Sequence, residues 1–251
     1  MIWGIMPSLA DPKLNLRWAK NHLELLNERV GALKGSYSPN ITTEDDVDKD
    51  CYIVKIQFPE DGSLLDIILT AGDFVNRLRA CLDHLAWQLA ALTTVPPGNH
   101  IYFPITEKDS LDTQLRIVKA TYGIPDDAVA VMKSFQPYKA GDLYRSSHLW
   151  RLNKLWNIDK HRHIGHHAVV SDEFLRVNVP NAPVAYERFD NYGEVRIPLA
   201  LKDKVQLNPT PGFDLRFGTA ADDLDIGIDD MFDMHQFVAD TVLPAFARFF
   251  K

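Results

Sequence analysis

Cysteine is almost missing from this sequence, with Cys51 and Cys81 the only two. Two are too few for a secreted disulfide framework, and neither belongs to a CxxC pair of the kind that builds a redox centre or a zinc site. Both read as reduced core thiols. Long apolar runs are missing as well: every apolar stretch is broken by charge well short of the roughly 18 positions a membrane helix needs. A soluble protein with no membrane partner is therefore expected. Met1–Pro7 is apolar but has no basic segment, no long apolar core and no small-residue cleavage site, so export is not expected and the cytoplasm is the expected location. There is no Walker A sequence, GxSxG elbow, HExxH or Rossmann fingerprint, which removes the usual sequence support for nucleotide hydrolysis, esterase chemistry, zinc-dependent proteolysis and dinucleotide redox chemistry. No cofactor is expected, and neither internal repeats nor low-complexity segments occur.

What is present is a mixed α+β pattern. With 251 residues, 46% apolar and 24% charged, the chain can bury a large core. One domain over 1–251 is expected, with a helical core at about 11–170, a β-rich segment at about 172–218 and a C-terminal helix at about 229–250. Leu16, Ala19, Leu23, Leu26, Val30 and Leu33 recur at steps of three and four and predict an amphipathic helix over 11–34. The acidic stretch 35–50 reads as a loop. Val54, Ile56 and Phe58 alternate with polar residues as a half-buried strand does, Pro59–Ser63 supplies turn chemistry, and Leu64–Leu69 reads as the second arm of a β-hairpin. Val75, Leu78, Leu82, Leu85, Leu89 and Leu92 mark a strong helix over 73–92. Shorter helices are expected at about 108–121 and 126–135, followed by one from Leu143 to about Arg162. Beyond Ser171, Leu175–Val179, Val195–Ile197 and Leu215–Phe217 read as strands of a small, mostly antiparallel sheet. The last helix, from about Asp229, presents Met231, Val238, Val242, Phe246 and Phe249 to a core.

Charge is unevenly distributed. The net charge is −7, which argues against broad adhesion to nucleic acid. Between Lys139 and His167, however, six Lys/Arg stand against two acids, a net of +4, and the same stretch carries five of the nine histidines. Polar chemistry concentrates on the two helices around 73–92 and 143–167. At about 100° per residue, Asn76, Arg79 and Asp83 share one narrow face of the first, with His84 and Arg77 at its edge. Along the second, Leu149, Leu152 and Trp156 define an apolar stripe that Asp159, His163 and His166 continue. If the two helices pack together, Arg79, Asp83, His84, Asp159 and His163 form one cluster, because charges near a core need partners or a ligand.

Arg79-Ala80-Cys81-Leu82-Asp83-His84 resembles the Arg-x4-His pattern of the HEPN superfamily. Asn76–Ala86 together with Ile158-Asp159-Lys160-His161-Arg162 is similar to a group of bacterial proteins, over about 71–170. The resemblance implies a helical domain, pairing into homodimers, and metal-independent RNase activity of the kind found in toxin–antitoxin and phage-defence systems, with a protein antitoxin or regulator as partner. It implies His84 as general acid/base, Arg79 as phosphate stabiliser, Asn76, Asp83, Asp159 and His163 orienting them, and Lys154, Lys160 and Arg162 along the RNA backbone. Attack by a ribose 2′-OH would leave a 2′,3′-cyclic phosphate and spare DNA. The β-rich segment lies outside the resemblance.

Two other readings use the same residues. Arg79, Asp83 and Asp159 form a structural ion-pair network in a non-catalytic interaction or regulatory protein, with His84 a satisfied core or interface histidine. In the other, His163 and His167, four apart, share a helix face and hold a transition metal, whereas a solvated helix terminus explains the same run. Trp87, Trp150 and Trp156 read as core side chains rather than as base-stacking platforms.

Overall fold

The computed structural model describes residues 6–36, 40–57, 62–93, 97, 100–107, 123–162, 164–170, 175–177, 185–188, 192–207, 213–218 and 224–251. The helix expected over 108–121 and the side chain of His163 lie outside them. The fold is α+β, and the chain divides into two compact units, one of Met1–Leu25, Leu69–Ile164 and Asp229–Lys251, the other of Leu26–Ile68 and Gly165–Ile228. Among the described residues, no helix is long and apolar enough to cross a membrane.

Helix α1 spans Ala10–Ser36 and buries Ala19, Leu23, Leu26, Val30 and Leu33, the stripe that its three-four spacing predicts. Helix α2 spans Gly62–Ala90, eleven residues earlier at its start than the periodicity of 73–92 indicates. The expected hairpin arm Leu64–Leu69 is thus its opening turns. A short apolar run is compatible with a buried strand or a helix; here Ile67, Ile68 and Ala71 are buried while Leu65 and Leu69 are exposed, which carries the helical stripe backward from Phe74, Val75 and Leu78. The hairpin exists one element earlier. Strand β1, Asn40–Asp46, pairs antiparallel with β2, Cys51–Gln57, so the acidic stretch read as a loop supplies an arm. Its turn is closed by Asp46 Oδ1, which accepts from Lys49 N at 3.1 Å, and by Asp50 at φ +49, a conformation Asp tolerates.

In the first unit, α3 spans Asp126–Ser134, with Asp126 and Asp127 at its positive end. A 3-10 segment over Pro137–Ser146 follows, broken at Gly141 with φ +56 and ψ −129, a conformation that requires glycine. Extended Ser147 resets the chain before α4, His148–Asp159, so the helix expected from Leu143 begins five residues later and stops three earlier. The C-terminal helix begins as α5, Ile228–Phe237, and turns to π geometry over Val238–Val242. Pro244 explains this: its ring would meet the carbonyl of Asp240 in an α-helix, and the wider turn removes the conflict, with Leu243 N donating to Val238 O. Met231, Val238, Val242 and Phe246 are buried, and the Phe103 ring meets Phe246 edge-on and the Phe135 ring at a tilt, each with centroids 6.3 Å apart.

In the second unit, β1 and β2 belong to a four-stranded antiparallel sheet. Its order is β1-β2-β6-β5, with β5 at Ala185–Arg188 and β6 at Tyr192–Pro198. Two further antiparallel pairs join β3, His166–Val170, to β8, Phe213–Phe217, and β4, Leu175–Val177, to β7, Val205–Leu207. Tyr52, Val54, Ile56, Leu175, Val195 and Ile197 form this unit's apolar core.

Candidate functional site

The polar arc of α2 lies in the first unit and separates into buried and exposed halves. Arg79 is only 4% exposed, and Nη2 of its guanidinium donates to Phe103 O at 2.8 Å and lies 3.0 Å from Asp83 Oδ1. The same Asp83 oxygen accepts from Phe103 N at 2.9 Å. An Arg and an Asp one helical turn apart therefore grip both backbone groups of a single residue. Gln136, also buried, repeats the device on the next residues: Nε2 donates to Pro104 O at 2.8 Å and Oε1 accepts from Thr106 N at 3.0 Å. Buried backbone donors and acceptors need partners. In this irregular segment they are supplied by side chains.

Burial dominates the electrostatics. It lowers the Arg79 pKa and raises that of Asp83, while each partner's charge opposes the other's shift and the Phe103 N–H helps hold the carboxylate. The Arg79 guanidinium carbon sits 4.9 Å from the centre of the Trp156 ring on α4, and Lys160 Nζ sits 4.0 Å from the same centre. Among the described residues, Arg79 Nε and Nη1 have no hydrogen-bond partner; the electron-rich indole face compensates part of that cost. Trp156 reads from the sequence as apolar stripe alone, but here it is also the cations' partner.

A second link between α2 and α4 is made by exposed Asn76, whose Nδ2 donates to Asp159 Oδ2 at 2.8 Å. Gly72 makes room for it: a Cβ at that position would lie 2.7 Å from Asp159 Oδ1. An isolated glycine inside a helical stripe is the sequence signal that marks such a close approach. His84 is exposed and belongs to a different contact, with its Nδ1 3.3 Å from Nδ2 of buried Asn15 on α1. Asn15 Nδ2 also donates to Asp11 O at 3.1 Å, and Gln88 Nε2 donates to Asp11 Oδ2 at 3.2 Å. If the Asn15 amide donates, His84 Nδ1 is the acceptor and the ring proton resides on Nε2.

The basic residues on and just after α4 divide between two places. Lys160 joins Trp156, whereas Lys154 and Arg162 line an open cleft of about 340 Å³ with Asn153, Asn157 and His161. Trp150 Nε1 donates to Glu107 Oε1 at 2.7 Å at the cleft's edge. The helical spacing proposed for His163 and His167 does not arise, because α4 ends at Asp159 and His166–Val170 is a strand. Among the described residues, no group of three or more His, Cys, Asp or Glu is placed to hold a metal. Asn15, Gly72, Phe103, Gln136 and the Asn153–Asn157 pair went unmarked by sequence reasoning. Compared with protein-family models, curated proteins and solved structures, the chain matches none.

Proposed function

We propose that this protein acts by binding rather than by catalysis, as an interaction or regulatory protein whose Arg79–Asp83 pair is structural. One observation carries this reading: the buried Arg79 guanidinium is occupied by Phe103 O, Asp83 and the Trp156 ring. A phosphate stabiliser must present its donors to substrate, and the Arg79 donor that makes hydrogen bonds is directed at the protein's own backbone. The reading predicts that total RNA and tRNA incubated with the protein in EDTA are recovered intact. Metal-independent cutting that leaves cyclic phosphate, and that His84→Ala abolishes without lowering the melting temperature, would overturn it.

The HEPN-like endoribonuclease is the second reading, favoured by the exposure of His84 and its Asn15 contact. With Nδ1 accepting from Asn15, Nε2–H can donate a hydrogen bond to a phosphate oxygen. Reversing the amide so that Oδ1 accepts from Nδ1–H would free Nε2 to take a proton from the 2′-OH. Asn76, Asp83, Asp159 and His163 then hold the surroundings, and Lys154, Lys160 and Arg162 meet the RNA backbone. Toxin, antitoxin, defence and homodimer roles belong to this second reading.

A further inference from the structure

Helix α1 carries a second apolar stripe beside the one that feeds the core. Ala19, Leu23 and Leu26 are buried, whereas Leu14, Trp18 and Leu25 are between 39% and 50% exposed. With exposed Asn21 they follow one another at steps of four, three and four residues, the spacing of a coiled-coil seam with one polar member. Helices α1 and α2 run antiparallel, tied by Gln88 to Asp11, by His84 to Asn15 and by His22 Nδ1, 4.0 Å from Asp73 Oδ2. One turn beyond that last contact, exposed Leu69 of α2 lies at the Leu25 end of the seam and widens it. Four of the nine large apolar side chains exposed among the described residues therefore gather on one face, which marks a docking surface rather than scattered surface leucines. Arg17 and Glu24, seven residues apart and both exposed, flank the seam along one side at equivalent positions. Among the described residues Arg17 has no ion-pair or hydrogen-bond partner. Glu24 lies 3.6 Å from Lys20, a contact between exposed side chains that is worth little.

We infer that this seam of α1 pairs antiparallel with the same seam in a second copy of the chain. A two-fold axis between Trp18 and Asn21 sets Leu14 against the partner's Leu25 and Trp18 against the partner's Asn21. Leucine then meets leucine at both ends, and in the middle each indole N–H finds an amide oxygen, the polar handle a packed Trp requires. The same rotation brings Arg17 opposite the partner's Glu24, and symmetry makes the pair twice. Parallel pairing offers no such match, because Arg17 would then face the partner's His22. Apolar pattern and charge are thus complementary to themselves in one orientation, which selects a second copy over an unrelated helix or a lipid surface. From Leu14 to Leu25 the seam runs only about 16 Å. Such a contact lies at the small end of specific interfaces, so the dissociation constant is on the order of 10–100 μM. The inference goes beyond both readings of Arg79, whose partners are Phe103, Asp83 and Trp156.

The test is sedimentation equilibrium of the full chain from about 5 μM to about 1 mM, a range that brackets that constant. The proteins are the wild type, Trp18→Glu, Arg17→Glu, Glu24→Arg and the double variant Arg17→Glu/Glu24→Arg, each checked for an unchanged melting temperature. The expected result is a reversible monomer–dimer equilibrium that Trp18→Glu abolishes. Each single charge reversal turns two attractions into two repulsions and weakens the dimer about tenfold, and the double variant, with the signs exchanged, returns to within about threefold of wild type. A wild type that stays monomeric to the top of the range overturns the inference and leaves the seam to a different protein. A dimer that Trp18→Glu leaves intact, or a double variant no tighter than the single reversals, overturns it equally, because the copies then meet elsewhere or in another orientation. RNA cutting in EDTA decides between the two readings of Arg79 and does not enter this outcome.

Discussion

Replacing Arg79 with Ala removes three things at once. The Phe103 carbonyl loses its donor, Asp83 loses its counter-charge, and Trp156 loses a cation from its face. The Asp83 side chain is 16% exposed, so little water reaches the carboxylate left behind. Breaking a buried pair by removing one partner costs about 3–5 kcal/mol, because the remaining charge is uncompensated. Asp83→Asn strands the Arg79 charge in turn but keeps an oxygen to accept from Phe103 N and Arg79 Nη2, so its cost should lie at the lower end of that range, about 3 kcal/mol. In the double variant Arg79→Met/Asp83→Leu no charge is stranded, and its cost should fall short of the summed single costs by about 0.5–3 kcal/mol. Urea unfolding followed by tryptophan fluorescence measures each, and hydrogen exchange at the Phe103 amide reports the grip locally. If Arg79→Ala unfolds within about 1 kcal/mol of wild type and Phe103 protection is unchanged, the structural account of the pair is wrong.

Gly72→Ala should destabilise by about 1 kcal/mol, since steric displacement of Asp159 outweighs the helix propensity gained. In an Asp159→Ala background, the same change should stabilise by about 1 kcal/mol; thermal unfolding of the four proteins reads the reversal of sign. Burial lowers the pKa of both His148 and His235 below the ordinary 6.5. The folded state therefore binds fewer protons there than the unfolded chain, and their contribution is complete above pH 6.5 and lost as pH falls from there through the depressed folded values. Urea midpoints should decline over that window in wild type and less steeply in His148→Gln/His235→Gln. Both cysteines are buried and free, and burial pushes the Cys81 thiol up to about 12. Neither should react with a thiol reagent in the native protein at pH 8, and both should react in urea, as counted by mass spectrometry.

Where a feature depended on periodicity along one element, the sequence displayed it. The stripes of α1 and of the last helix, the α2 stripe from Phe74 onward and the strand positions at Val195–Ile197 and Leu215–Phe217 were visible because burial alone selects their apolar residues. Strand β1 was hidden by its composition, Asn-Ile-Thr-Thr-Glu-Asp-Asp, because an edge strand can remain mostly exposed and carry charge. The start of α2 was hidden by a run too short to separate two periods. The π turn was hidden because it results from how Pro244 meets a carbonyl four residues earlier. At the site, spacing placed Arg79 and Asp83 on one face but could not reveal what that face met. Their partner is the backbone of Phe103, twenty residues or more away in the chain and without a side-chain signature for such a contact. Lys154 and Lys160 were grouped by charge, and only the helix geometry separates them onto different faces.

The most direct test of the central claim is nitrogen-15 NMR of the Arg79 guanidinium in the full chain, with and without saturating RNA. If Arg79 serves the protein's own backbone, its Nη–H signals are protected from exchange and keep their shifts when RNA is added. Movement of those signals on RNA addition, accompanied by RNA cleavage in EDTA, would show that Arg79 serves a substrate and would contradict the account.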